Sequence, residues 1–309
     1  MRKIIIDDNE KGQRFDRFVS KYLNKAGNSF VQKMIRKKNI ELNGKKAKPD
    51  SLLIKDDIVE FYLSEETINK FREEKNYIKT EKKLQIIYED KNIIIINKPL
   101  GVTMQPDHTN EVSFIDMMLS YLKYDENYSS KTFRPAFINR LDKNTSGLVI
   151  GAKNYNSLKA LNKNMRNKNI KKYYKGIVEG VIDESLHLED YMTRENKKSK
   201  INEEKGKKVI TKINPLKSNR NYTLVEFELI TGRTHQIRAH MESIGHPLLG
   251  DNKYLGKQSI NNKYYFLHAY KIIFEGFNGE LKYLNKKTFE GDLPEDFNEK
   301  VQMIFGDLK

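Results

Sequence analysis

The chain contains no cysteine. Disulfides and thiolate metal centres are therefore excluded, which agrees with a cytoplasmic protein. It has no run of about 18 apolar residues, the length a membrane-spanning helix needs. Its first residues, Met1-Arg2-Lys3-Ile4-Ile5-Ile6-Asp7-Asp8, hold too short an apolar run for a secretory signal and meet acids at once. No glycine-rich loop opens a helix after a strand, which argues against a dinucleotide or methyl-donor site, and no repeat of solenoid period is found. His235 and His240 are five residues apart, so they do not share a helical face, and no acid stands at zincin spacing from them. No metal site is expected.

What is present is positive charge. Among 309 residues, 57 are Lys or Arg and 42 are Asp or Glu, a formal net charge of +15. A polyanionic partner fits this balance, although a Lys- and Asn-rich composition alone would raise it. The distribution favours the first reading. From Lys143 to Val178 there is no acid, while nine basic residues occur. Phosphodiester backbone is what such a surface attracts.

Directly before that stretch lies Asn139-Arg140-Leu141-Asp142-Lys143-Asn144-Thr145-Ser146-Gly147-Leu148. One acid sits between an arginine and a short polar turn, with Phe137-Ile138 before it and Val149-Ile150 after it. Such an acid stands at the edge of a buried element. A neighbouring guanidinium can hold an acid ionised there, ready to act as nucleophile or base. An ordinary turn-capping Asp would look the same in isolation.

The segment resembles the central H-R-L-D-x-x-T-S-G-L motif of the RluA-type RNA pseudouridine synthases. Lys172-Tyr173-Tyr174-Lys175-Gly176-Ile177-Val178-Glu179-Gly180 is similar to the family's K-x-Y-x-A-x-V-x-G strand. Thr231-Gly232-Arg233-Thr234-His235-Gln236-Ile237-Arg238-Ala239-His240 is similar to its T-G-R-x-H-Q-I-R-x-H motif. Gly245-His246-Pro247-Leu248-Leu249-Gly250-Asp251 and Leu267-His268-Ala269 also fit, and the order along the chain is kept. The likeness covers roughly residues 81 to 290.

The resemblance implies a cofactor-free isomerase whose essential aspartate is Asp142. Attack on the anomeric carbon and removal of the 2′ proton both remain open for it. Tyr174 becomes the active-site tyrosine, and Arg233 the ion-pair partner of Asp142. Arg140 is assigned to phosphate or to holding the flipped nucleotide. Leu141, Thr145, Lys172, His235, Gln236 and Arg238 are expected to line the substrate site. Leu229 and Ile272 either line the base pocket or are plain core. On a strand, Tyr173 and Tyr174 face opposite sides, so only one enters the pocket. Two positions depart from the pattern: Asn139 replaces the usual histidine, and Gln105 stands where a histidine usually follows N-K-P-x-G.

Upstream, residues 1–63 read as a separate unit carrying 15 basic and 9 acidic residues. Phe15, Phe18, Val19, Tyr22 and Leu23 recur at helical spacing. Val31, Met34 and Ile35 mark a second helix. Asn43-Gly44 signals a hairpin turn after Ile40-Glu41-Leu42, and residues 58–63 read as a strand. This order resembles the alpha-L RNA-binding module of a small-subunit ribosomal protein. The resemblance puts Arg14, Arg36, Lys37, Lys38, Asn43 and Lys45 on an RNA-contacting face.

Residues 64–80 read as a charged linker, partly helical, and 81–309 as the catalytic domain. Its strands are expected at 147–152, 173–179, 222–230 and 265–274 besides 93–96, and its helices at 112–122, 155–167 and 234–244. The expected class is α+β with a mixed, largely antiparallel sheet. Large-subunit ribosomal RNA, or a ribosome precursor, is the expected partner of a monomeric enzyme. Transfer RNA is the alternative substrate. A non-catalytic ribosome-assembly factor and an RNA methyltransferase are rivals from other classes.

Overall fold

The computed structural model describes residues 1–73, 77–124, 132–196, 198–202, 204–254 and 264–306. Residues 74–76 of the expected linker lie outside these. Among the described residues no helix is long and apolar enough to cross a membrane.

The N-terminal unit pairs β1 (Arg2–Ile5) and β2 (Ile40–Leu42) on either side of β3 (Ile58–Phe61). Helices α1 (Phe15–Tyr22) and α2 (Asn28–Arg36) cover this small sheet. The helical stripe read from sequence, Phe15, Phe18, Val19, Tyr22 and Leu23, is buried with Val31 and Ile35. Neither helix is long enough to persist alone, so burial of this stripe holds the unit together. The Asn43-Gly44 turn forms, with Lys45 N–H bonding Leu42 O at 3.1 Å. The main partner of β2 is nevertheless β3, not the segment after the turn.

The boundary at residue 63 needs correction. α3 (Glu65–Phe71) packs into the N-terminal core through fully buried Ile68 and through Phe71, whose ring is tilted against Phe30 with ring centres 4.3 Å apart. Ser64 caps it by accepting from Thr67 N–H. The chain then crosses to the second unit, where Ile78 and Thr80 donate backbone N–H groups to Asp116 and Ser120.

The second unit is one mixed sheet of eleven strands: β4 (Gln85–Glu89), β5 (Ile93–Lys98), β6 (Ala136–Phe137), β7 (Ser146–Ala152), β8 (Ile170–Glu179), β9 (Leu186–Glu195), β10 (Lys198–Asn202), β11 (Lys207–Ser218), β12 (Tyr222–Leu229), β13 (Leu267–Phe274) and β14 (Thr288–Glu290). The order is β10-β9-β11-β12-β8-β13-β7-β5-β4, with β6 on β7 and β14 on β13. All pairs are antiparallel except β7 with β13. The isoleucine run of β5 is buried on both faces. Ile94 and Ile96 join the core under α4 (Phe114–Tyr121), and Ile93 and Ile95 join the core under α5 (Tyr155–Arg166). The described residues also form α6 (Gln236–Ser243) and α7 (Glu295–Phe305).

The parallel joint positions the site. Gly147 adopts φ +118°, and a Cβ there would lie 2.3 Å from Ala269 O. Only glycine lets β7 run this close to β13. Beside it, buried His268 Nδ1 bonds Ser146 Oγ at 2.7 Å. The loop 138–145 therefore leaves the middle of the sheet at a fixed point.

Candidate active site

Asp142 sits at the start of that loop's turn, closed by Thr145 N–H to Asp142 O at 3.0 Å. Lys98 lies beneath it, 1% exposed, donating to Pro99 O at 2.8 Å and Lys143 O at 3.2 Å. Burial lowers its ammonium to about 8, opposed by the charge of Asp142. The lysine of N-K-P thus buttresses the turn from below, a role the sequence reading did not assign.

The turn opens on a cleft of about 600 Å³. Asp142, Leu141, Tyr174, Leu229, Ile237 and Leu267 line its interior, and Lys172 lines its wall. Lys172, Tyr174, Gly176 and Val178 share one face of β8 by alternation. Tyr174 is accordingly buried in the cleft, while Tyr173 lies on the other face under the Lys271 ammonium, 4.5 Å from the ring centre. Burial, and then the charge of Asp142, raises the Tyr174 phenol above its ordinary pKa. Burial alone lowers Lys172 to about 8. Leu229 reaches the cleft, but Ile272 belongs to the core on the opposite face of the sheet.

The charge partner of Asp142 is not Arg233. Arg238 Nη1 stands 3.6 Å from Asp142 Oδ2, and His235 Nε2 stands 3.5 Å from the same oxygen. Arg233 is exposed at the mouth of the cleft. The reason is local. His235 takes a left-handed conformation, φ +58°, and the helix starts at Gln236. Arg238 therefore falls in the first turn, aimed inward, while Arg233 remains on the loop.

Arg238 is held from three sides. Its Nε and Nη2 donate to Asp251 at 2.7 Å each. The Tyr265 ring lies 4.3 Å from its guanidinium, and the Tyr254 ring 4.7 Å. Burial opposes its charge, but Asp251, Tyr265 and Asp142 together raise its pKa. Tyr265 in turn bonds Thr145 Oγ1 at 3.0 Å, which closes a ring back to the Asp142 turn. The H-P-L-L-G-D segment thus supplies Asp251 as the second carboxylate that shares this arginine.

The orientation of His235 follows from its other neighbour. Tyr254 Oη accepts from Ser199 N–H at 2.8 Å and lies 3.0 Å from His235 Nδ1. This contact at Nδ1 turns Nε2 toward Asp142, 3.5 Å from its Oδ2. Burial lowers the imidazole pKa, opposed by Asp142 and reinforced by Arg238.

Gln236 was expected to meet substrate, but its amide is used internally. Oε1 accepts from Thr231 Oγ1 and Arg233 N–H at 2.8 and 3.1 Å, while Nε2 donates to Ile210 O and Thr211 Oγ1, both at 3.0 Å. It pins the T-G-R loop to β11. Thr145 likewise spends its hydroxyl on Tyr265. Asn139 supplies a missing peptide unit to β7: its Nδ2 donates to Leu148 O at 3.2 Å and its Oδ1 accepts from Ile150 N–H at 2.8 Å. Gln105 is exposed. His240 bonds Thr211 Oγ1 and His246 bonds Glu179 O, each through Nδ1 at 2.8 Å.

On the N-terminal unit, Arg36, Lys37, Lys38 and Lys45 are exposed. Arg14 instead forms a two-pronged pair with Asp16, at 3.1 and 2.8 Å. Asn43 braces the base of the turn by donating to Asp57 and accepting from Ile58 N–H, both at 2.8 Å. Arg14 and Asn43 make these internal contacts while remaining exposed themselves.

Residues 92–243 match the family described as RNA pseudouridylate synthase. An RNA pseudouridine synthase of Mycoplasma genitalium is 34% identical over 289 residues, 88% of either chain. Ribosomal large subunit pseudouridine synthase C of Rickettsia conorii is 34% identical over 287 residues, 87% of this chain and 91% of that one. Ribosomal large subunit pseudouridine synthase D of Borreliella burgdorferi is 32% identical over 269 residues, 81% of this chain and 80% of that one. Among solved structures, human RNA pseudouridylate synthase domain containing 4 shares the fold, with TM-score 0.57, 21% identity, and coverage of 71% of this chain and 92% of that one.

Proposed function

The chain belongs to the RNA pseudouridylate synthase family, and on that premise we propose that it acts on large-subunit ribosomal RNA with Asp142 as the reacting carboxylate. The reaction is an isomerisation: the bond from ribose C1′ to uracil N1 breaks, the base turns, C1′ joins C5, the C5 proton leaves to a base or water, and N1 takes up a proton. The observation that carries the site assignment is Asp142 facing Arg238 and His235 on the floor of a basic-mouthed cleft. The names of the relatives from Rickettsia and Borreliella support the choice of RNA.

Each wall of the cleft has a task in this reading. Asp142 either forms a bond to C1′ or removes the 2′ proton, and Arg238 offers it a fixed positive charge that needs no reorganisation. Tyr174 stacks on the detached base and assists removal of the C5 proton. Lys172, a cation partly withdrawn from water, faces the negative charge that uracil gains as it leaves. Arg140 and Arg233 meet phosphates beside the flipped nucleotide. The N-terminal unit, including α3, docks RNA through Arg36, Lys37, Lys38 and Lys45.

The test is tritium release from uridine-labelled ribosomal RNA, followed by site mapping in ribosomes from a deletion strain. Asp142→Asn should abolish release while the protein stays folded and binds RNA. Turnover above a few per cent in that variant would remove Asp142 as the reacting group. Release from transfer RNA but not from ribosomal RNA would overturn the substrate assignment alone.

A further inference from the structure

The acid-free stretch from Lys143 to Val178 contains α5, whose exposed face the proposed chemistry does not use. Its cations are not scattered. Lys159, Lys163 and Arg166 recur at i, i+4 and i+7, and all three are exposed. This spacing puts them in one stripe along the helix. Its other face is anchored by fully buried Leu161 together with Leu158 and Met165.

The two ends of this helix meet different things. At its start, Tyr155 touches the N-terminal unit: Tyr155 N–H bonds Asn9 Oδ1 at 3.4 Å, and the Lys21 ammonium lies 4.5 Å from the Tyr155 ring centre. At its end, Met165, Arg166 and Lys168 line the active-site cleft. A helix of 12 residues is about 18 Å long. The helix therefore runs from the N-terminal unit to the mouth of the cleft, and the stripe covers about the last 10 Å of it.

A plainer account of cations here is that they complement the negative end of the helix. It covers Lys163 and Arg166, which lie in the last turn. It does not cover Lys159 in the middle of the helix. Nor does it account for a helix with no acid in its first turn, where acids would be favoured.

We propose that the Lys159–Lys163–Arg166 stripe of α5 is a phosphate track that carries single-stranded or loop RNA from the N-terminal unit into the cleft. It rests on the reading of this protein as an RNA-modifying enzyme and adds the route by which the strand arrives. The track reads no bases. It fixes the direction of the strand and its distance from the docked segment to the reacting uridine.

The experiment compares full-length protein with the triple variant Lys159→Gln, Lys163→Gln, Arg166→Gln. The probe is a uridine-containing single-stranded RNA oligonucleotide, followed by fluorescence anisotropy across a salt series. Loss of three phosphate contacts should make the slope of log affinity against log salt shallower by roughly 2, at about 0.7 per contact for single strands. The charge-keeping set Lys159→Arg, Lys163→Arg, Arg166→Lys should restore it. A control triple of exposed lysines off the helix, Lys82, Lys83 and Lys286 changed to Gln, should leave the slope in place. An unchanged slope in the first triple overturns the track. So does an equal loss in the control, which would reduce the effect to bulk charge. Absence of pseudouridine formation by the wild-type protein would defeat the functional reading, yet these slopes would still decide the track.

Discussion

The floor and the mouth of the cleft are built from the same kinds of residue and behave differently. On the floor, Arg238 is 7% exposed, doubly bonded to Asp251 and sandwiched by tyrosine rings. At the mouth, Arg140, Arg166 and Arg233 are exposed. A buried guanidinium whose geometry is fixed directs its charge at the few groups it faces, here Asp251 and Asp142, through a medium that screens less than water. An exposed one works through water and salt, acts on any phosphate within reach, and contributes modestly. Arginine identity says nothing about which role applies. The starting point of α6 does.

The tyrosines of β8 give the largest test of this contrast. Tyr174→Phe keeps the ring on the floor and removes only the hydroxyl. If that hydroxyl assists proton removal, single-turnover rates should fall by roughly 10²–10⁴, with RNA affinity little changed. Tyr173→Phe, on the face occupied by Lys271, should cost little in rate. The reverse outcome would mean that the floor does not act through this phenol.

The arginine pair comes next. Arg238→Lys keeps a charge but loses the fork that grips Asp251 and fixes distance to Asp142. Misplacement on the order of 1 Å costs about 10²-fold, so the limiting rate should drop by about that factor. The melting temperature should also fall, because Asp251 is left buried with a poorer partner. Arg233→Gln should mainly raise the half-saturating RNA concentration, with less effect on the limiting rate than Arg238→Lys. Equal losses in both variants would erase the distinction between floor and mouth.

How much of this was legible without coordinates varies by element. The strand at 93–96 and the alternation that turns Tyr174 and Tyr173 to opposite faces follow from short-range patterning, and the structure has both. The Arg233 assignment to Asp142 failed because T-G-R-T-H-Q hides a left-handed residue, His235, immediately before the helix. A usable signal was Arg238 set among Ile237, Ala239 and Met241, all buried, with Asp251 downstream as its partner. Strands β9, β10 and β11 were not anticipated. Their alternation is masked by charge, as in Leu186-His187-Leu188-Glu189-Asp190-Tyr191-Met192, and their stability comes from backbone ladders and long-range partners. Partial helix was expected in 64–80, but the packing of α3 on the N-terminal core was concealed, since Ile68 and Phe71 are its apolar residues in a charged segment.

Lys172 stands between floor and mouth, and pH separates its two effects. In the folded protein its ammonium titrates near 8, below the ordinary lysine value of 10.5, because it is withdrawn from water. Its charged form is therefore penalised by folding below about pH 8. The unfolded chain holds the proton longer, so this penalty is relieved as pH rises from about 8 toward 10.5, and the contribution of Lys172 to stability increases over that window. RNA binding responds with the opposite sign. The cation facing the nucleotide disappears over the same range, so affinity and turnover should decline as pH passes 8, by a few-fold at most from this group. Lys98 shifts in the same direction, but it lies beneath the turn and spends its donors on Pro99 O and Lys143 O. Lys172→Met should therefore flatten the alkaline decline in RNA affinity and remove the matching gain in stability, leaving the share that belongs to Lys98. Affinity measured by anisotropy and unfolding measured by urea titration, both from pH 7.5 to 9.5, test the two halves separately. An alkaline decline in affinity that survives unchanged in Lys172→Met would place the responsible charge at the mouth instead.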